Sequence, residues 1–200
     1  GYTNQDGLMK GTNYQRYTLQ SKQDFKMAIF QAGTNIVLTY SQDKPLLSEI
    51  RGGYVGHTIQ AIPTLEQYDA NQTGGYGALY GDVVNLYNPL GMVDDNLMNR
   101  YSDNVKIFAN AYVSVEFMKG LKYKLNLTPD FQFYRYNSYL GLYDYGLNKN
   151  DITQVTEQQT RTRNVLVENL LTFDRTFGDH KISVLAGYTY HDSRYRYMQG

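Results

Sequence analysis

The sequence predicts an all-β chain, an antiparallel up-and-down meander of about seven long strands. Three observations predict it. Apolar and polar residues alternate with period two over long runs, while helical periodicity is scarce. Turn signals separate those runs. From the second connection onward, short and long connections alternate, so one end of the meander carries tight turns and the other carries long loops.

The strands are expected near residues 1–6, 13–24, 29–42, 103–117, 121–136, 162–177 and 180–197. "DGLMKGTN" joins the first two, and a short turn over 25–28 joins the next two. A long excursion over 43–102 follows. Then come a three-residue turn, Met118–Lys119–Gly120, a medium loop over 137–161 and a tight turn at Gly178–Asp179.

Register supports this order. In "NAYVSVEFMKGLKYKLNLTPDFQF", Gly120 occupies the position of a three-residue hairpin loop that favours the left-handed region. That turn pairs Phe117 with Leu121, Val115 with Tyr123, Val113 with Leu125 and Ala111 with Leu127, apolar against apolar. On the other face Glu116 lies opposite Lys122. A two-residue turn at Gly178–Asp179 pairs Phe173 with Val184, Leu171 with Ala186 and Val167 with Tyr190. Asn169 opposite Tyr188 interrupts that apolar face. Pro129 lacks a ladder donor, so a bulge or the upper rim is expected there.

Strand length bears on what the apolar face meets. Strands of globular proteins are typically about 5–6 residues long, and a tilted strand crosses a bilayer in about 9–11. The runs 103–117 and 180–197 exceed both. Tight turns at one end and long loops at the other are the pattern of outer-membrane barrels. No run of apolar residues is long enough for a membrane-spanning helix, which leaves a membrane β-barrel open.

The 43–102 excursion begins with an expected short helix near Leu46 to Ile50 and then becomes Gly- and Tyr-rich. A connection of that length inside a compact domain signals function. The chain holds 21 Tyr and 8 Phe but no Trp, and Tyr suits half-wet surfaces. Tyr188, Tyr190, Tyr195 and Tyr197 read as an interfacial girdle near the long-loop end of the last strand.

Zero formal net charge makes no case for nucleic acid, and the lack of Cys excludes disulfide and thiolate chemistry. His57, His180 and His191 are scattered, and neither G-x-S-x-G nor H-E-x-x-H occurs, so no enzyme is expected. Asp94 and Asp95 read as a solvated turn rather than a catalytic pair. "DANQTG" (69–74) mimics half of a calcium loop, but Tyr80 stands where the bidentate Glu belongs, so it reads as an Asx-type turn. No metal and no cofactor are expected.

Several segments carry a family resemblance: "GYTNQDGLMKGTNYQRYTLQ" at the start, "IQAIPTLEQYDANQTGGYG" and "YNPL" in the excursion, and "VENLLTFDRTFGDHKISVLAGYTYHDS" near the end. In that order, over nearly the whole chain, they resemble SusC/RagA-like TonB-dependent outer-membrane transporters. The resemblance implies a fragment of a 22-strand transmembrane β-barrel in the cell outer membrane, contacting outer-membrane lipid. It implies that the plug domain is absent from this stretch and lies upstream, with the TonB complex engaged through that missing plug. It further implies import of an oligosaccharide or peptide substrate with a SusD-like lipoprotein as partner. A soluble secreted β-rich glycan-binding module and a passive outer-membrane porin are the alternatives.

Candidate contacts to substrate or lid fall in the excursion: Tyr54, Tyr68, Tyr76, Tyr80, Asn85, Tyr87 and Asn88. Aromatic faces stack on sugar or side-chain surfaces, and amides hydrogen-bond polar groups. The competing role for these tyrosines is packing the loop on itself. Candidates for the lumen- or plug-facing side are Asn110, Tyr112, Glu116, Lys122, Lys124 and Asn126.

Overall fold

A computed structural model describes residues 1–46, 53–79 and 86–200. In chain order the elements are β1 (Tyr2–Asp6), β2 (Asn13–Met27), β3 (Phe30–Lys44), α1 (Gly53–Gln60), a 3-10 turn (Gly91–Val93), β4 (Met98–Met118), β5 (Leu121–Leu140), β6 (Tyr143–Asp144), β7 (Lys149–Asn150), β8 (Gln154–Phe177) and β9 (His180–Gln199). Seven strands form one sheet in the order β1-β2-β3-β4-β5-β8-β9, each antiparallel to its neighbour. The meander is as expected.

The strands outrun their expected ends on the long-loop side. β4 starts at Met98 and β8 at Gln154. "QVTEQQTR" has a single apolar residue, Val155, so it carries no apolar alternation. Its ladder to β5 continues regardless, to Leu140↔Gln154. The excursion is correspondingly shorter, and the medium loop contains its own β6–β7 ladder. Residues 47–50 of the expected helix lie outside the described residues, and the helix observed is α1.

All three tight turns lie at one end. The β2–β3 turn is Ala28–Ile29, with Met27 paired to Phe30, rather than 25–28. The β4–β5 register from Val115↔Tyr123 to Ala111↔Leu127 is as read from the sequence, but Phe117 does not pair with Leu121. Met118 does, and the register shift between Glu116 and Met118 makes Phe117 the extra residue of a bulge. Gly120 adopts φ +88, which is what the turn requires. The β8–β9 register agrees at every position named above.

Pro129 produces neither bulge nor rim. It sits inside β5, paired with Val165 of β8. On the β4 side, pairing stops at Phe108↔Asp130 and resumes in the same register at Ala111↔Leu127. The missing donor interrupts the ladder without shifting it.

Strict alternation gives the sheet two chemically distinct faces. One carries Ile36, Leu38, Ile107, Val113, Leu125, Leu127, Phe131, Val167, Leu171, Val184 and Tyr190. Many of these side chains are well exposed, Val113 at 48% and Val184 at 54%. Among the described residues no second layer covers them. The polar interruption on this face is satisfied in place, because the Tyr123 hydroxyl donates to Asn169 Oδ1 at 2.6 Å. Tyr188 and Tyr190 belong to this face, whereas Tyr195 and Tyr197 alternate onto the other. The four therefore do not form one girdle.

The buried core lies at the long-loop end, between the loops and the strand ends there. Met92, Leu97, Met98, Tyr143 and Tyr145 form it, flanked by Tyr54, Tyr76, Tyr87 and Leu140.

Candidate functional site

Two arrangements bring functional candidates together: the docked loops and the polar face of the sheet.

The loops pack on each other through tyrosines. Tyr143 and Tyr145 are two apart on an extended segment, which puts their rings side by side, stacked at 4.8 Å. The Tyr87 ring meets both, at 5.7 Å and 5.9 Å, and the edge of His57 at 5.1 Å. The Tyr87 N–H donates to His57 Nδ1 at 3.3 Å. Backbone bonds seal the two loops together, Asp144 N–H to Thr73 O at 2.9 Å and Gly141 N–H to Leu97 O at 2.7 Å.

Asn88 is the polar centre of this assembly. It is 3% exposed, and its Nδ2 donates to the carbonyls of Glu66, Gln67 and Gly77. Its Oδ1 accepts the Leu90 N–H at 3.1 Å. Its hydrogen-bonding capacity is therefore turned inward. Tyr76 donates to Asp94 Oδ2 at 2.7 Å. Burial and that bond push the Tyr76 hydroxyl up to about 12. Burial also acts to raise the Asp94 carboxyl, but bonds from the Asn96 N–H, the Tyr76 hydroxyl and the Asn96 amide outweigh it and hold the group below its ordinary value. Asp95 turns away and pairs with Lys44, so the two adjacent carboxylates serve separate contacts. Burial raises the hydroxyls of Tyr143 and Tyr145 as well.

Among the loop candidates, Tyr54, Tyr76 and Tyr87 pack in the cluster. Tyr68 is 64% exposed, with its ring 5.5 Å from that of Tyr76. Tyr80 and Asn85 lie outside the described residues. The 69–74 segment forms an Asx turn, with Asp69 Oδ1 accepting the Asn71 N–H at 2.9 Å. Tyr143 and Tyr145 were not singled out from the sequence. Their signal was the alternating "LYDYG", which means nothing until the second loop is known to dock on the first.

On the polar face, alternation groups Asn110, Tyr112, Glu116, Lys122, Lys124 and Asn126 as expected. Asn110 Nδ2 donates to Asn126 Oδ1 and Thr128 Oγ1, both at 2.8 Å, and Asn126 Nδ2 donates to Glu168 Oε2 at 2.7 Å. Tyr112 donates to Asp24 Oδ1 at 2.9 Å, and Lys124 Nζ stands 4.6 Å above the Tyr112 ring. Glu116 lies opposite Lys122 in register, and its Oε1 accepts the Gly120 N–H at 3.2 Å, tying the strand to its own turn. Asp24 and Glu168 join this network across strands, and only the full register reveals them.

No family model matches the chain. The sequence is 28% identical over 203 residues to TonB-dependent receptor P3 of Formosa agariphila (strain DSM 15362 / KCTC 12365 / LMG 23005 / KMM 3901 / M-2Alg 35-1), covering 94% of this chain and 19% of that protein. The fold superposes on the RagAB peptide importer in its closed-closed state with a TM-score of 0.70 and 16% identity, covering 100% of this chain and 23% of that one. The likeness to SusC/RagA-like TonB-dependent transporters holds. The chain spans about a quarter or less of each relative's length. Its seven strands superpose on one run of that importer's fold.

Proposed function

We propose that the chain is a panel of an outer-membrane, TonB-dependent importer that takes up oligosaccharides or peptides with a SusD-like lipoprotein. The observation that carries this reading is the double asymmetry of the sheet. One face is apolar and uncovered while the other is a hydrogen-bonded polar network. One end has tight turns and the other has docked loops.

In this reading the apolar face meets lipid. Asn110, Tyr112, Glu116, Lys122, Lys124 and Asn126 face the lumen and a plug carried elsewhere in the full-length protein. The β3–β4 and β5–β8 connections form the extracellular end. Their tyrosine core makes them a preformed surface, so substrate or lid binds without the entropy loss of ordering them. Tyr68 is the contact candidate whose ring is already presented, while Asn88 and Tyr87 hold the surface in shape. Uptake would run by capture at the loops and lid, TonB-driven movement of the plug, and passage along the polar face.

A soluble glycan-binding module would need a second layer over the apolar face, and none exists among the described residues. Fractionation of the full-length protein is the test. It is expected in the outer membrane and to need detergent for release, and recovery in the soluble fraction rejects the reading. An upstream plug in the same reading frame separates a TonB-dependent importer from a passive porin.

A further inference from the structure

On the lipid-facing side, directly above the apolar band, the β5–β8–β9 register builds a cluster of arginines. Arg161 lies opposite Arg196, and Arg163 opposite Arg194. Phe133 and Phe131 of β5 flank the same two rows. All six line one groove. Toward the tight turns the face continues into Val165, Val167, Tyr190 and Tyr188.

Like charges directly opposite each other across strands are destabilising, and here two such pairs occupy successive rows. One carboxylate answers them. Asp192 Oδ2 lies 3.3 Å from Arg163 Nη2 and 3.2 Å from Arg194 Nε. No carboxylate among the described residues pairs with Arg161 or Arg196. The cluster thus sets one carboxylate against four guanidiniums on the long-loop side of the sheet, where the membrane surface would begin. Guanidinium forks match phosphate oxygens in a bidentate way. Phenylalanine and valine beside them suit acyl chains.

We propose that Arg161, Arg163, Arg194 and Arg196 bind the phosphate-bearing headgroup of an anionic lipid in the leaflet on the long-loop side. This rests on the membrane-panel reading above. The apolar band below selects a lipid over free phosphate, because only a lipid can occupy both the arginines and the face beneath them.

The test uses full-length protein in nanodiscs of phosphatidylcholine, with and without phosphatidic acid. Native mass spectrometry counts retained lipid, and thermal unfolding is followed in parallel. Wild type should retain phosphatidic acid, and Arg161→Gln/Arg196→Gln should bind it at least about tenfold more weakly, with phosphatidylcholine retention unchanged. Without anionic lipid the double variant should be as stable as wild type or more so, because a like-charge pair is gone. With it, wild type should be the more stable. Equal retention of phosphatidic acid by both proteins overturns the proposal. So does competition by inorganic phosphate at the concentration at which the lipid binds, which marks a free-anion site. A variant that loses stability equally in both discs overturns it too, and points to a neighbouring acidic strand as the true partner. Failure of the wild type to enter nanodiscs rejects the membrane reading itself, a result distinct from all of these.

Discussion

Tyr112 on β4 bonds Asp24 on β2 across an intervening strand, with 2.9 Å between its hydroxyl and Oδ1. The residue beneath the ring is Gly33 of β3, paired with Asp24 on one side and Tyr112 on the other. A Cβ at Gly33 would meet both the Tyr112 ring and the Asp24 carboxylate well inside contact distance. Glycine is required here for close approach of a neighbouring side chain. The ring in turn covers the bare backbone, as aromatic residues do over strand glycines.

Gly33→Ala should therefore destabilise the full-length protein by about 1–3 kcal/mol, the ordinary cost of overpacking. The same substitution in a Tyr112→Ala background should cost less, because the ring that collides with the new methyl is gone. A double-mutant cycle on thermal unfolding in detergent measures the difference. Additive effects would mean that the ring does not lie over Gly33.

Asn88 gives a second prediction. Asn88→Ala leaves the Glu66, Gln67 and Gly77 carbonyls to find other donors inside a packed loop. Each buried carbonyl left without one costs roughly 1–3 kcal/mol. The loss should fall on the loop assembly and not on the sheet, whose ladders are independent of it. Limited proteolysis is expected to cut the loops faster in the variant while the strands stay protected. Equal loop cleavage in both proteins would remove Asn88 from this role.

The Tyr76–Asp94 pair predicts how loop docking depends on pH. Tyr76 holds its proton to about 12, above the ordinary value of 10.0. The folded loop thus binds more protons than the open one once pH exceeds the ordinary tyrosine range. Its contribution is whole below that range and is lost as pH rises toward about 12. Asp94 acts in the opposite direction. Its lowered value means that its contribution is present above the ordinary carboxylate range and fades as pH falls through the depressed value. Protease protection of the loops should be flat through neutrality and fall at both extremes. Tyr76→Phe should make the alkaline fall shallower. An unchanged alkaline limb would assign it to other tyrosines.

What could be read from the sequence depended on how local the cause was. Both hairpin registers were readable because a turn of known length fixes every pair behind it, as Gly178–Asp179 does back to Val167↔Tyr190. The error at Phe117 came from the same logic, since a bulge changes the count by one at the turn without disturbing Val115↔Tyr123. Strand ends at Met98 and Gln154 were missed because polar residues on both faces erase the alternation, although backbone pairing continues. The tyrosine cluster joins Tyr87 to Tyr143 and Tyr145, and nothing local marks that distant docking. Asp24 and Glu168 join the polar network without a local signal: Tyr112 reaches Asp24 across β3, and Glu168 meets Asn126 only once β8 is paired with β5.

The apolar face carries the last prediction. Leu127 sits in the row Thr34, Ala111, Leu127, Val167, Tyr190, near the middle of the apolar band. If that band meets hydrocarbon, an arginine there must strip its guanidinium of water or distort the bilayer. Leu127→Arg should then cost about 2–4 kcal/mol, the range for a lipid-facing midplane position. The control is Thr189→Arg on the opposite face, where the new charge lies across from Glu168. That change should stay within about 0.5 kcal/mol, as solvent-facing substitutions do. Reversible unfolding of the full-length protein in phospholipid vesicles measures both. A large penalty at Thr189 with none at Leu127 would exchange the two faces and place the polar network toward lipid, contrary to the chemistry of every side chain in it.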